Sequence, residues 1–253
     1  MTLLELKQLG VSLGNRSVLE GADLSIGSGE LVGLIGPNGI GKTTLMRAAL
    51  GLLPATGYSS LAAMSAAERA RTVAWMPQDR TIAWPISVEA LVMLGRLPHR
   101  PLGLAPASVD RAAVKKALAA VDLEGFEHRR ATRLSGGERT RALIARALAQ
   151  ETPLVMADEP TAGLDPAHQI SAMEGFAGLA RAGGAVLLSI HDLGLAARHC
   201  TRLVLLGEGR VMADGPPASV LTTDHLARIF NIEAFFQETP EGPVYQSLRV
   251  LGP

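Results

Sequence analysis

The sequence predicts an α/β fold, a parallel sheet sandwiched by helices, and three observations carry that expectation. Four apolar runs of strand length, Glu30–Ile35, Leu154–Ala157, Ala185–Ile190 and Leu203–Leu206, are separated by helix-like segments. Three of these runs lead directly into short strings rich in Gly, Asp, Glu or His. Between the first two runs the composition changes: Ile86–Leu94 and Ala107–Val121 are rich in Ala and Leu with few strand signals, so residues 79–150 read as a helical insert. At 253 residues the chain can bury a full core as one domain, with residues 1–78 and 151–253 forming the main lobe around that insert.

Met1–Gly10 lacks a basic start followed by an apolar core, so no export signal is expected. Glu30–Ile35 reads as a buried strand that opens into Gly36-Pro37-Asn38-Gly39-Ile40-Gly41-Lys42-Thr43-Thr44, a fit to G-x-x-x-x-G-K-[ST]. Gly36, Gly39 and Gly41 let the backbone take conformations closed to bulkier residues, so consecutive amide N–H groups can turn inward around phosphates. Lys42 reaches the β- and γ-phosphates as a point charge, and the Thr43 hydroxyl is placed to ligate Mg²⁺. Lys42–Leu50 reads as a helix whose N-terminal dipole faces the anion. The expectation is therefore a P-loop NTPase (RecA-like) core that binds ATP. The longest charge-free stretch, Ala48–Ala67, contains Gly51, Pro54 and Gly57 and is a poor membrane span. Any membrane role then needs a partner.

Two further strings carry chemistry. Leu134-Ser135-Gly136-Gly137-Glu138 stands before a helical stretch, Glu138–Gln150, where Ile144 and Leu148 share a face. A Ser hydroxyl, bare glycine amides and a helix N-terminus make a second anion site on the same chain. The run Leu154–Ala157 ends in Asp158 and Glu159, carboxylates that are costly at the end of a buried strand unless something cationic or catalytic needs them. Asp158 would hold Mg²⁺ through its water shell; Glu159 would act as general base or water-positioning group for attack on the γ-phosphate. Pro160 ends the strand.

In this order and spacing, LSGGE followed by an apolar strand ending in Asp-Glu-Pro resembles the signature of ABC-type ATPases, and the resemblance covers nearly the whole chain. It implies a helical signature subdomain and an antiparallel β subdomain on the ATPase core. It also gives roles to residues that are uninformative singly. Gln78, in Met76-Pro77-Gln78-Asp79, matches the Q-loop, which touches metal and attacking water and faces the membrane subunit. Ala162–Asp165 matches the D-loop at the dimer interface, and His191, after Ala185–Ile190, matches the switch histidine that contacts the γ-phosphate. The implied assembly is a homodimer, with ATP and Mg²⁺ held between Gly36–Thr44 of one copy and Ser135–Gly137 of the other. It sits at the cytoplasmic face of the cell membrane on a permease dimer that an extracytoplasmic binding protein serves.

Within that family, Asp79–Arg100, and Gly95-Arg96-Leu97-Pro98-His99 in particular, resembles ATPases of importers for iron–siderophore complexes, haem and cobalamin, in that order of preference. The alternatives are a soluble ABC ATPase of DNA repair or translation and the ATPase of an exporter. Lys+Arg and Asp+Glu are both 24, so the net charge is zero and the basic excess of a general nucleic-acid binder is missing. Cys200 is the single cysteine, which rules out an internal disulfide and suits a reducing cytoplasm. The chain departs from the family pattern in three places. Leu13 stands where relatives carry an aromatic that stacks on adenine, Tyr58–Pro77 is short by roughly ten residues, which trims the edge of the antiparallel subdomain, and Glu138 replaces a common Gln. Near the end, Thr239–Pro243 marks a turn between two short apolar stretches, an added hairpin.

Overall fold

The computed structural model describes residues 1–101, 103–240 and 242–252. Strands β1 (Thr2–Leu13) and β2 (Arg16–Gly27) form a long antiparallel pair, followed by β3 (Leu31–Ile35), helix α1 (Lys42–Ala49) and the short strand β4 (Thr56–Ser59). Helix α2 (Ala66–Thr72) leads into β5 (Val73–Met76). Next come α3 (Val88–Met93), a 3₁₀ segment at Leu94–His99, α4 (Ser108–Ala119) and α5 (Gly136–Ala149), the helical stretch that composition predicts. The chain then alternates through β6 (Leu154–Asp158), α6 (Pro166–Arg181), β7 (Ala185–Ser189), α7 (Leu193–His199) and β8 (Arg202–Gly207). It closes with β9 (Arg210–Gly215), α8 (Pro217–Val220), α9 (Thr223–Phe230), β10 (Ile232–Gln237) and β11 (Val244–Val250).

The main sheet has the order β5-β6-β7-β3-β8-β9, parallel throughout except for β9, which runs antiparallel to β8. Its strands read as unbroken apolar runs because both faces are covered. Side chains still alternate. Leu31 and Ile35 of β3 join one core with α5, α6 and α7, whereas Val32 and Leu34 join the other with α1 and the antiparallel sheet. That second sheet has the order β2-β1-β4, and its edge strand β4 has four residues against twelve in β1. The antiparallel subdomain is therefore present with a short edge.

Order of strands matters most for function. β6, β7 and β3 are direct neighbours, so the residues after their carboxyl ends, Glu159, His191 and Gly36, emerge side by side. Ligands of open parallel sheets bind at that edge.

The Gly95–His99 string has a packing role. A Cβ at Gly95 would come within 2.2 Å of the Arg146 carbonyl oxygen on α5, so only glycine allows this approach. Arg96 is 4% exposed and ion-paired with Asp110 at 3.1 Å and Glu151 at 2.8 Å, and His99 Nε2 bonds the Gln150 carbonyl at 2.7 Å. Buried and doubly paired, the Arg96 charge holds the helical segments together. β10 and β11 pair antiparallel, with Phe236 opposite Tyr245, so the terminal hairpin is real, although Glu241 of its turn lies outside the described residues. Among the described residues no helix is long and apolar enough to cross a membrane.

Candidate functional site

A cleft of about 940 Å³ opens above the ends of β3, β6 and β7. The phosphate loop forms its floor. Gly36 takes φ 147°, and a Cβ there would sit 2.5 Å from the Leu206 carbonyl oxygen, so neither conformation nor space admits a side chain. Gly41 caps α1 at φ 114° and offers no capping side chain, which leaves the helix's first amides free to bind an anion. Lys42 is 6% exposed and donates from Nζ to the carbonyls of Gly36 at 2.7 Å and Pro37 at 3.0 Å. Burial pushes its ammonium pKa down, while the Glu159 and Asp158 carboxylates oppose that shift.

The acidic pair is divided by its surroundings. Asp158 is 1% exposed and accepts two hydroxyl bonds, from Thr43 Oγ1 at 2.6 Å and Ser189 Oγ at 2.5 Å, so its buried charge is well solvated by the protein. Glu159, one residue on, turns outward at φ 50° and lines the cleft. Its amide donates to Ser189 Oγ at 2.9 Å, and its carboxylate accepts from His191 Nε2. Gln78 is exposed on the same wall. Gly39, Ile40, Thr44 and Asn38 complete the loop side, with Pro37 behind it.

The second anion motif is elsewhere. None of Ser135, Gly136, Gly137 and Glu138 lines this cleft. Ser135 caps α5, its Oγ accepting from the Glu138 amide at 3.2 Å while Glu138 accepts from the Ser135 amide at 2.8 Å, a reciprocal capping box. Glu138 is thus engaged in holding its own helix and pairs with Arg129 at 3.7 Å. A Cβ at Gly136 would meet nothing within 4 Å, so the bareness of that surface serves nothing within this chain.

Leu13 is 51% exposed and lines the outer end of the cleft with Arg16, Ser17, Val18 and Glu20. These β2 residues, and Glu208 and Gly209 of the β8–β9 turn, are missed by motif reading because no local pattern marks them. Ser189 is also missed, yet it had a signal: a lone hydroxyl in an otherwise apolar strand, 0% exposed.

A Gly-rich anion loop, a buried Thr–Asp pair and an outward Glu–His pair on three adjacent parallel strands define a P-loop ATPase. Sequence comparison refines the class: the ABC transporter family pattern matches residues 19–162. The cobalamin import ATP-binding protein of Halobacterium salinarum is 42% identical over 236 residues, 90% of this chain, although the chain spans 58% of that relative's length. The hemin import ATP-binding protein of Pseudomonas aeruginosa is 40% identical over 250 residues, covering 94% of this chain and 96% of the relative. Among solved structures, one described as a metal-chelate type ABC transporter in an inward-facing conformation superposes with TM-score 0.85 at 26% identity, over 98% of both chains. Another, a dimeric ATP-binding cassette in a post-hydrolysis state with ADP and Pi, gives TM-score 0.74 at 25% identity over 85% of this chain and 98% of that one. The chain belongs to the ABC transporter family.

Proposed function

We propose that this chain is the ATP-hydrolysing subunit of an importer, working as a pair of identical copies on a separate membrane permease. The separation of the two anion motifs carries the reading: the chain supplies a complete phosphate loop and catalytic pair in one place, and a capped serine with bare glycines in another. A second copy in head-to-tail contact brings Ser135–Gly137 over the cleft and closes both sites at once.

The steps follow from the geometry. ATP phosphates draw Lys42 from its resting bonds to the Gly36 and Pro37 carbonyls, because a charged acceptor outcompetes neutral ones. Glu159 accepts a proton from the attacking water, and His191, already bonded to that carboxylate, is assigned the γ-phosphate contact. Thr43 Oγ1 and Asp158, hard oxygen donors 2.6 Å apart, fit Mg²⁺, with Gln78 at the cleft wall; when bound there, the ion offsets phosphate charge. ATP closes the pair and hydrolysis reopens it, which moves the permease between access states.

For cargo, the relatives' names support haem or cobalamin, and the metal-chelate transporter supports the broader class of metal chelates. Haem stands ahead of iron–siderophore, the first choice from sequence, because the hemin relatives match nearly end to end. Cargo passes through the permease and not this subunit, so transport is read in proteoliposomes with the permease that co-purifies with this subunit: ATP-driven haem accumulation supports the reading, and accumulation only of an unrelated solute overturns it.

The shared-site arrangement is tested by mixing. Lys42→Ala and Ser135→Arg chains should each be inactive alone, but a heterodimer combines both lesions in one site and leaves the other intact. Part of the hydrolysis and ATP-dependent association should reappear in the mixture. No recovery at any ratio would contradict the composite site.

A further inference from the structure

Glu159 occupies a backbone conformation, φ 50°, that residues other than glycine seldom adopt. Such strain persists only where the surroundings impose it. Two groups do so here. Ser189 Oγ accepts from the Glu159 amide at 2.9 Å, and Nη2 of Arg80 donates to the Glu159 carbonyl. The same guanidinium donates from Nη1 to the Ala162 carbonyl in the loop before α6 and to Thr140 Oγ1 of α5 at 2.9 Å. Arg80 follows Gln78 by two residues, and Thr140 follows Ser135 by five. One side chain therefore joins the Gln78 segment, the backbone of the Glu159 loop and the helix that presents the second anion motif.

Carboxylates neutralise only some of the chain's inward-facing arginines. The buried Arg96 is neutralised by Asp110 and Glu151, and Arg202 by Glu30 and Asp214. Arg80 makes no ion pair within 4.0 Å among the described residues, and its Nε is buried without an acceptor. Its donors go to neutral oxygens, two of them backbone carbonyls flanking the catalytic turn. Burial acts to lower its pKa and the Glu159 carboxylate to raise it, so the cation and the carboxylate feel one another without touching. A planar fork with donors in fixed directions suits the task of fixing two carbonyls at once, which a lysine cannot do.

We propose that Arg80 is a positioning residue for hydrolysis: by holding the Glu159 carbonyl and the Ala162 carbonyl together, it aims the Glu159 carboxylate into the cleft and ties that aim to α5 through Thr140. This rests on the reading of Glu159 as the proton acceptor. Arg80 does not line the cleft, so its loss should leave ATP binding in place and slow the chemical step.

The test is a double-mutant cycle. Arg80→Met keeps the apolar stem and removes the donors; Arg80→Lys keeps the charge and one donor group; Glu159→Gln removes the proton acceptor. Each, with the Arg80→Met/Glu159→Gln pair, is assayed by single-turnover and steady-state ATP hydrolysis, nucleotide titration and thermal melting. A displaced base of about 1 Å costs up to about 100-fold, so Arg80→Met should lower kcat about 10- to 100-fold with KM and nucleotide affinity within about twofold. Arg80→Lys should recover part of that loss. Because Arg80 acts through Glu159, the double variant should be no slower than Glu159→Gln alone, whereas a merely structural role would give additive losses. If Arg80→Met fails to fold, the cycle is run with Arg80→Lys. Near-normal hydrolysis by Glu159→Gln overturns the reading of Glu159 and the proposal with it. A collapse in Glu159→Gln alongside unchanged kcat in the Arg80 variant, or additive losses in the pair, overturns the proposal alone.

Discussion

In the proposed site Lys42 and Leu13 serve the two ends of one nucleotide, and substitution separates their contributions. Lys42→Ala removes a charged hydrogen-bond donor to phosphate, worth about 1.5–3 kcal/mol, so ATP affinity should fall roughly 10- to 150-fold in a fluorescent-nucleotide competition titration. Unchanged affinity would remove the loop from phosphate binding. Leu13 stands half-exposed at the opposite end of the cleft, where base stacking is worth about 1–3 kcal/mol when an aromatic is present. Leu13→Tyr should tighten ATP by about three- to tenfold, the lower part of that range, and leave turnover at saturation unchanged, since the contact is equal in ground and transition states. No tightening in the same titration would place the base against a different residue of the cleft. Legibility at this scale follows sequence locality. The loop, Asp158, Glu159 and His191 are readable because each follows directly on an apolar run, and the cleft unites the loop with Glu159 and His191. Arg80 is unreadable because its main partners are backbone carbonyls about 80 residues away, which leave no trace in residue type.

Elements were legible where periodicity and composition agree. The four apolar runs all become strands of one sheet, within a residue or two at each end, because burial on both faces demands unbroken apolar character. The edges were less legible. β5 rests on β6, a partner about 80 residues away, and the half-buried patterns of β9 and the β1–β2 hairpin give weaker signals. The Gly95–His99 segment shows how a resemblance and a packing constraint can share one string, since Arg96 is buried against Asp110. Gly95→Ala tests the packing role. The added methyl meets the Arg146 carbonyl oxygen at 2.2 Å, and overpacking of this kind costs about 1–3 kcal/mol, so the melting temperature should drop by several degrees in calorimetry. An unchanged melting temperature would show that the 3₁₀ segment moves aside freely.

At the scale of the whole molecule, the parts of the proposed reaction centre are not in one place. The phosphate loop, Asp158, Glu159 and His191 converge, while Ser135–Gly137 lie outside that cleft at the start of α5. The central claim is that two copies complete each other's sites, and it is tested most directly with Glu159→Gln. A neutral amide keeps the shape of the carboxylate but cannot accept the proton, so bound ATP persists and holds the closed pair. In size-exclusion chromatography with light scattering, this variant should run as a 26.5 kDa monomer with ADP and at twice that mass with ATP and Mg²⁺, with hydrolysis reduced at least about 100-fold. A variant that loses hydrolysis, still binds ATP and stays monomeric at every concentration would contradict the account.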